Sequence, residues 1–136
     1  MDVETIKIFL NKKNTIAFVG ATKQKEKWGY KKYKNIKDAG YRVYPVNPKY
    51  AEVDGDKCFP TLKSLIEFQG ETPDFVITII PPNVTEKTVE QCKILGIDKI
   101  WMQPGSESEK AIKFCEENKI QVVHGICIVV DAIQKL

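Results

Sequence analysis

Only one arginine and one histidine occur among the 136 residues, Arg42 and His124. A single histidine leaves no material for a histidine-based metal cluster or a two-histidine mechanism. Positive charge is nearly all lysine and the formal net charge is +3. That suits an anionic small molecule but falls short of the dense basic stripe of a nucleic-acid binder. The four cysteines (Cys58, Cys92, Cys115, Cys127) are widely spaced and form no CxxC pair. They read as reduced thiols rather than as a disulfide framework or a zinc site. No sustained apolar run is long enough for a membrane span, and Asp2 and Glu4 at the start give no sign of a signal peptide. Cytoplasm is therefore the expected location. Repeats, low-complexity tracts and linkers are also missing, so one domain over residues 1–136 is expected.

What is present is an alternation of strand and helix patterns. Hydrophobic content of 43% and charged content of 29% support a packed core. Residues 1–14 read as a short amphipathic helix carrying Val3, Ile6 and Leu10 on one face. "TIAFVG" (15–20) is a continuous apolar run, as in a strand buried on both faces of a parallel sheet. Helix 26–39 follows and stops at Gly40, then strand 41–48, which Pro48 ends. Past a loop at Asp54-Gly55-Asp56 come helix 61–68 and strand 74–80, ended by Pro81-Pro82. Helix 84–95 is given Asn83 as its N-cap with Glu86 as capping-box partner, and Gly96 as its stop. Strand 99–103, helix 107–118 capped by Ser106 with Glu109, strand 120–125 and a short final helix complete the chain. Five strands separated by helices predict a three-layer α/β/α sandwich with a doubly wound, mostly parallel, Rossmann-like sheet, in strand order 3-2-1-4-5.

Ligands of such sheets bind beyond the carboxyl ends of the strands, where strand order reverses. Those ends read Gly20-Ala21-Thr22, Val46-Asn47-Pro48-Lys49, Ile80-Pro81-Pro82, Gln103-Pro104-Gly105 and His124-Gly125. The first fits phosphate. Gly20 lets backbone approach without a Cβ, Thr22 offers a hydroxyl, the next helix offers its N-terminus, and Lys23, Lys25 and Lys27 add charge. NAD is disfavoured, because there is no GxGxxG run and strand two ends without the carboxylate that pairs with ribose. Catalysis lacks support. No Asp or Glu stands at a strand tip, although Glu107 follows the fourth, and Ser106 and Ser108 lack a neighbouring base. His124 reads as a polar residue closing a strand. Trp28, Tyr30 and Trp101 read as packing residues, Cys58 as an inert loop thiol, and the Lys31, Lys34 and Lys37 face as solvated.

The stretches "FVGAT", "KWGYKKYKNIKDAGYRVYPVNPKY", "DGDKCFPTL", "PDFVITIIPPNVTEKTVEQCKILGI" and "IWMQPGSESEKAIKFCEEN" with "VVHGICI" together resemble the stand-alone CoA-binding domain family. These small bacterial and archaeal proteins are similar to the N-terminal domain of the succinyl-CoA synthetase α subunit. The likeness covers residues 15–128. It implies coenzyme A or acyl-CoA as the ligand, with its phosphates on Gly20, Ala21, Thr22 and Lys23, and Lys27 beside them. Val46, Asn47, Pro48 and Lys49 would cradle adenosine. Ile80, Pro81 and Pro82 would line the cleft, and Gln103 and Gly105 would border it. The synthetase carries a phosphorylated histidine on a second domain and needs an ATP-grasp partner. These 136 residues hold neither, and His124 lies in the wrong part of the fold for that role. Lys27-Trp28-Gly29 also replaces the Arg-Pro-Ser stretch of many relatives, which leaves CoA against other adenine nucleotides open.

The sequence therefore points to a non-catalytic binder of CoA or acyl-CoA acting as sensor, carrier or partner of a separate ligase. It has no membrane or nucleic-acid partner, and self-association as a homodimer is open. Two rivals remain. One is an enzyme, either a component of an acyl-CoA synthetase-type ligase or a small-molecule transferase using His124 or Cys127, and the other is an NAD(H)- or nucleotide-sensing module.

Overall fold

Strand β1 (Thr15–Val19) lies inside a parallel sheet of five strands, between β2 (Arg42–Val46) and β5 (Phe75–Thr78). β6 (Lys99–Met102) and β7 (Gln121–Val123) extend the β5 side, so the order across the sheet is β2-β1-β5-β6-β7. The computed structural model describes residues 3–135. Between β2 and β5 the chain makes a short antiparallel hairpin, β3 (Glu52–Val53) and β4 (Asp56–Lys57). Its turn residues Asp54 and Gly55 both have positive φ, 51° and 81°, as a tight hairpin turn requires.

Counted along the sheet strands alone, the order is 2-1-3-4-5, which corrects the expected 3-2-1-4-5. The reason is Pro45, in the middle of β2. A strand with no N–H at its centre cannot serve as an internal strand with a full ladder on both sides, so β2 is left at the edge. The segment around Phe59 covers that edge. Phe59 N–H donates to the Pro45 carbonyl at 3.0 Å, and Asn47 N–H donates to the Phe59 carbonyl at 2.9 Å.

Alternate strand residues feed two cores, the period-two consequence of pleating. Ile16, Phe18, Phe75, Ile77 and Trp101 face α1 (Val3–Phe9), α2 (Trp28–Asp38) and the C-terminal turns over Ile128–Ala132 and Ile133–Lys135. Ala17, Val76, Ile100 and Met102 face α3 (Leu62–Gln69), α4 (Pro82–Leu95) and α5 (Glu109–Glu117). Trp101 is fully buried, and its indole N–H donates to the Ile126 carbonyl at 3.2 Å. The expected three-layer α/β/α architecture is what forms.

Two expected caps are corrected. The residue capping α4 is Pro81, with Pro82 in the first helical position, so Asn83 lies inside the first turn. Ser108, rather than Ser106, caps α5, accepting the Ala111 N–H at 3.0 Å. Ser106 is buried instead, donating to Thr78 Oγ1 at 2.7 Å and sharing a 2.8 Å hydrogen bond with Thr85. That hydroxyl cluster ties the loop after β6 to β5 and α4. The lysine face of α2 does more than meet solvent. Lys37 pairs with Asp54 at 3.2 Å and Asp56 at 2.9 Å, and Tyr33 O–H donates to Asp56, fastening the hairpin to the helix.

Candidate functional site

Strand order reverses between β1 and β5, since the chain leaves β1 toward β2 and later returns to β5 on its other side. A crevice must open beyond the carboxyl ends of those two strands. There Gly20 has φ +106°, and its N–H donates to the Val46 carbonyl at 3.0 Å. A Cβ on Gly20 would strike the Ile79 carbonyl and lie 2.9 Å from Ile80 Cγ2. The glycine is thus demanded by the neighbouring strand end, a constraint the sequence argument did not include. Gly29, in the first turn of α2, plays a matching part. A Cβ there would strike the Gly20 carbonyl and meet Thr22 Cγ2 at 3.2 Å. These two glycines let α2 start directly against the end of β1.

The crevice encloses a cavity of about 360 Å³, within the usual range for small-molecule sites. Of the sequence-predicted residues, Gly20, Thr22, Lys27, Val46, Asn47, Pro48, Lys49, Ile80 and Pro81 line it together. Others do not. Ala21 is fully buried and contributes its carbonyl, which accepts from Asn47 Nδ2 at 2.9 Å. Lys23 leans away to pair with Glu52 at 3.6 Å. Pro82 is exposed as the first residue of α4 and stays outside the lining. Gln103 borders a second cavity and Gly105 a third hollow, the latter sharing Ile79, Ile80 and Pro81 with the cleft.

Several lining residues escaped the sequence reading: Gln24, Gly29, Tyr50, Ile79 and Val84. Tyr50 shares a 2.9 Å hydrogen bond with the Thr22 hydroxyl and accepts one from Gln24 Nε2 at 3.4 Å. The Thr22 hydroxyl also accepts the Gln24 N–H at 3.2 Å, so it organises the turn as much as it offers itself to a ligand. The bonds from Thr22 and then Gln24, helped by Lys49 and Lys27, pull the Tyr50 phenol below its ordinary pKa. Position in the loop directly after strand two was the available signal for Tyr50.

The electrostatics are one-sided. Lys27 and Lys49 line the cleft, and among the described residues no carboxylate does. The N-termini of α2 and α4 both reach it, through Lys27 and Gly29 and through Pro81 and Val84. Neither helix has a side-chain cap or an acidic residue in its first turn. The α2 start brings the Gly29 backbone and the positive end of its dipole to the cavity, features that favour an anion. At the α4 start, Pro81 and Pro82 have no N–H and the Val84 N–H donates to the Pro81 carbonyl at 2.9 Å, so α4 contributes its dipole alone.

The second cavity, of about 390 Å³, is lined by Trp28, Lys32, Ile79, Gln103, Pro104, Cys127, Val130 and Asp131. Trp28 is 63% exposed, so its expected packing role is corrected: it stands at the rim of this cavity with Lys31 and Lys32 ammonium groups against its ring. Cys127 is the one cysteine of the four that is not buried. Partial burial pushes its thiol up, but the Val130 N–H, the Gln103 amide, the Val129 N–H and Lys32 outweigh that and hold it below the ordinary value. Burial instead raises the Cys92 thiol to about 12 and the Cys115 thiol to about 11, and raises that of Cys58 as well. His124 is exposed beyond β7 and lines neither cavity. Among the described residues no group of His, Cys, Asp and Glu could hold a metal ion, and no helix is long and apolar enough to cross a membrane.

A family model described as a CoA-binding domain matches residues 14–132. The chain belongs to that family. It is 34% identical over 115 residues to an ADP-forming acetate–CoA ligase of Methanocaldococcus jannaschii, an alignment covering 85% of this chain and 16% of the ligase. The α subunit of the ADP-forming acetate–CoA ligase II of Pyrococcus furiosus is 37% identical over 112 residues, covering 80% of this chain and 24% of the subunit. The chain therefore spans a quarter or less of the ligase sequences it matches. A solved structure from Thermus thermophilus superposes with a TM-score of 0.86 at 25% identity, each chain covered completely. The CoA-binding domain family and its relation to acetate–CoA ligase sequences agree with the resemblance read from the strand-end motifs.

Proposed function

We propose that this chain binds coenzyme A or an acyl-CoA in the cleft between β1 and β5, without itself catalysing a reaction. The observation that carries the reading is the convergence on one cavity of the α2 N-terminus without a side-chain cap, the positive end of the α4 dipole and two lysines, with no carboxylate in the lining. The diphosphate sits at the N-termini of α2 and α4, near Gly20 and Lys27. The adenosine portion lies along Val46, Asn47 and Pro48, with Lys49 available to a ribose phosphate. Membership of the CoA-binding family supports this ligand over other anionic nucleotides. Residues 1–136 act as one CoA-binding domain, in the cytoplasm, with sensing or carrying as the role.

Isothermal titration with CoA, dephospho-CoA, ATP and NADH tests the reading. Micromolar binding of CoA that weakens without the 3′-phosphate is the expected result. Binding of ATP or NADH with no response to CoA would overturn it.

The kinship to acetate–CoA ligases favours a second reading, in which the domain serves a separate ligase subunit. Acetate, ATP and CoA should then give no product with this chain alone, and product should form only when a nucleotide-binding partner is added.

A further inference from the structure

The first turn of α2 separates the cleft from the second cavity. Lys27 and Gly29 line the first, Trp28 and Lys32 line the second, and Ile79 lines both. The polar groups of the second cavity are already engaged within the chain. The Gln103 amide accepts the Ile128 N–H at 2.8 Å and donates to Cys127 Sγ at 3.3 Å. The Asp131 carboxylate accepts the Cys127 N–H at 2.7 Å, and the Lys32 ammonium rests 5.0 Å from the centre of the Trp28 ring. What the walls offer a ligand is hydrocarbon: Trp28 and Val130, 63% and 46% exposed, with Ile79 and Pro104. Exposed apolar surface of this kind marks a binding site, and it lies beside the polar cleft, with Ile79 common to both walls.

We infer that the second cavity receives the acyl group of a CoA thioester whose nucleotide occupies the cleft, so that the chain selects short apolar acyl-CoA over free CoA. This rests on the CoA reading of the cleft. A free thiol would leave Trp28 and Val130 in water, whereas acyl methylenes cover them. A carboxylate at the far end of the acyl group would meet Asp131 as well as Lys32, so dicarboxylic acyl groups gain nothing here.

Titration of the whole chain with CoA, acetyl-CoA, butyryl-CoA and succinyl-CoA tests the inference. Each buried methylene brings about a fourfold gain, so butyryl-CoA should bind at least about tenfold more tightly than CoA. Val130→Asp, a change at an exposed position, should bring the ratio of the two affinities close to one. CoA disulfide provides a second readout. The Cys127 thiolate attacks one sulfur of the disulfide, the S–S bond breaks, one CoA thiolate leaves, and the protein gains one CoA moiety in mass. Butyryl-CoA should slow that labelling, and Cys127→Ser should abolish it. Equal affinity for CoA and butyryl-CoA, a preference for succinyl-CoA, or labelling that butyryl-CoA does not slow would overturn the acyl cavity while CoA binding stands. Failure of every CoA species to bind would overturn the reading of the cleft as well.

Discussion

The helices α2 to α5 start in two ways. The N-terminus of α3 is closed by a capping box in which the Thr61 hydroxyl accepts the Ser64 N–H and the Ser64 hydroxyl accepts the Thr61 N–H. The start of α5 is closed by Ser108, with Glu109 in its first turn. The starts of α2 and α4 have no side-chain cap and no acid, and these are the two that meet the cleft. A missing cap costs about 1 kcal/mol. Folding alone would favour a cap on α2, whereas Pro82 in the first helical position already removes one donor that a cap on α4 would satisfy. At α2 the difference leaves first-turn N–H groups without a side-chain partner beside the cleft, while at α4 the proline pair takes the place of a cap.

Changes at each kind of end test the contrast, and the largest effect should come from charge reversal in the cleft. Lys27→Glu with Lys49→Glu replaces both cleft lysines, each able to make a charge-assisted contact to phosphate. CoA affinity should fall about 100-fold by titration calorimetry. A loss below threefold would mean that these lysines are ordinary surface charges.

Next in size is Lys27→Asp, which installs the absent cap at a residue already in extended conformation, φ −90° and ψ 151°. The ligand-free protein should melt a few degrees higher, and CoA affinity should drop about tenfold. A rise in both quantities would break the comparison. The complementary change, Thr61→Ala, removes a cap remote from the cleft. It should lower the melting temperature by about 4 °C while CoA affinity stays the same.

The smallest effect concerns Tyr50. Its phenol is held below the ordinary value, so it begins to ionise at lower pH than a free tyrosine and places a negative charge in an anion site. CoA affinity should therefore decline as pH rises toward 10, and Tyr50→Phe should remove that decline while changing affinity about twofold or less near neutrality. An identical pH profile in wild type and variant would rule out Tyr50 as its source.

Much of the site was legible because strand ends are local features. Apolar runs closing at Gly20, Asn47 and Ile80 placed the cleft, and nine of the residues chosen there do line it together. The misses have physical causes. Pro45 was a readable sign that β2 lies at an edge, since a missing N–H at mid-strand is a property of sequence, and it was passed over for Pro48. Ser106 and Ser108 are both credible caps by residue type. Only the position of Thr78 and Thr85 draws Ser106 inward and leaves Ser108 the cap. The packing demand on Gly20 was out of reach, because the atom its Cβ would strike belongs to Ile79, just past β5 and far along the chain.

By itself the sequence determined the alternation of strands and helices, the burial of the strands on both faces and hence a site beyond their carboxyl ends. Each of these follows from periodicity and short-range stereochemistry. The tertiary structure alone decided that Tyr50 would reach Thr22, that Trp28 would stand in water at the mouth of a second cavity, and that the starts of α2 and α4, from opposite faces of the sheet, would both border the cleft. Those outcomes depend on which strands become neighbours. That choice is made by crossovers and packing between distant segments, which no local pattern encodes.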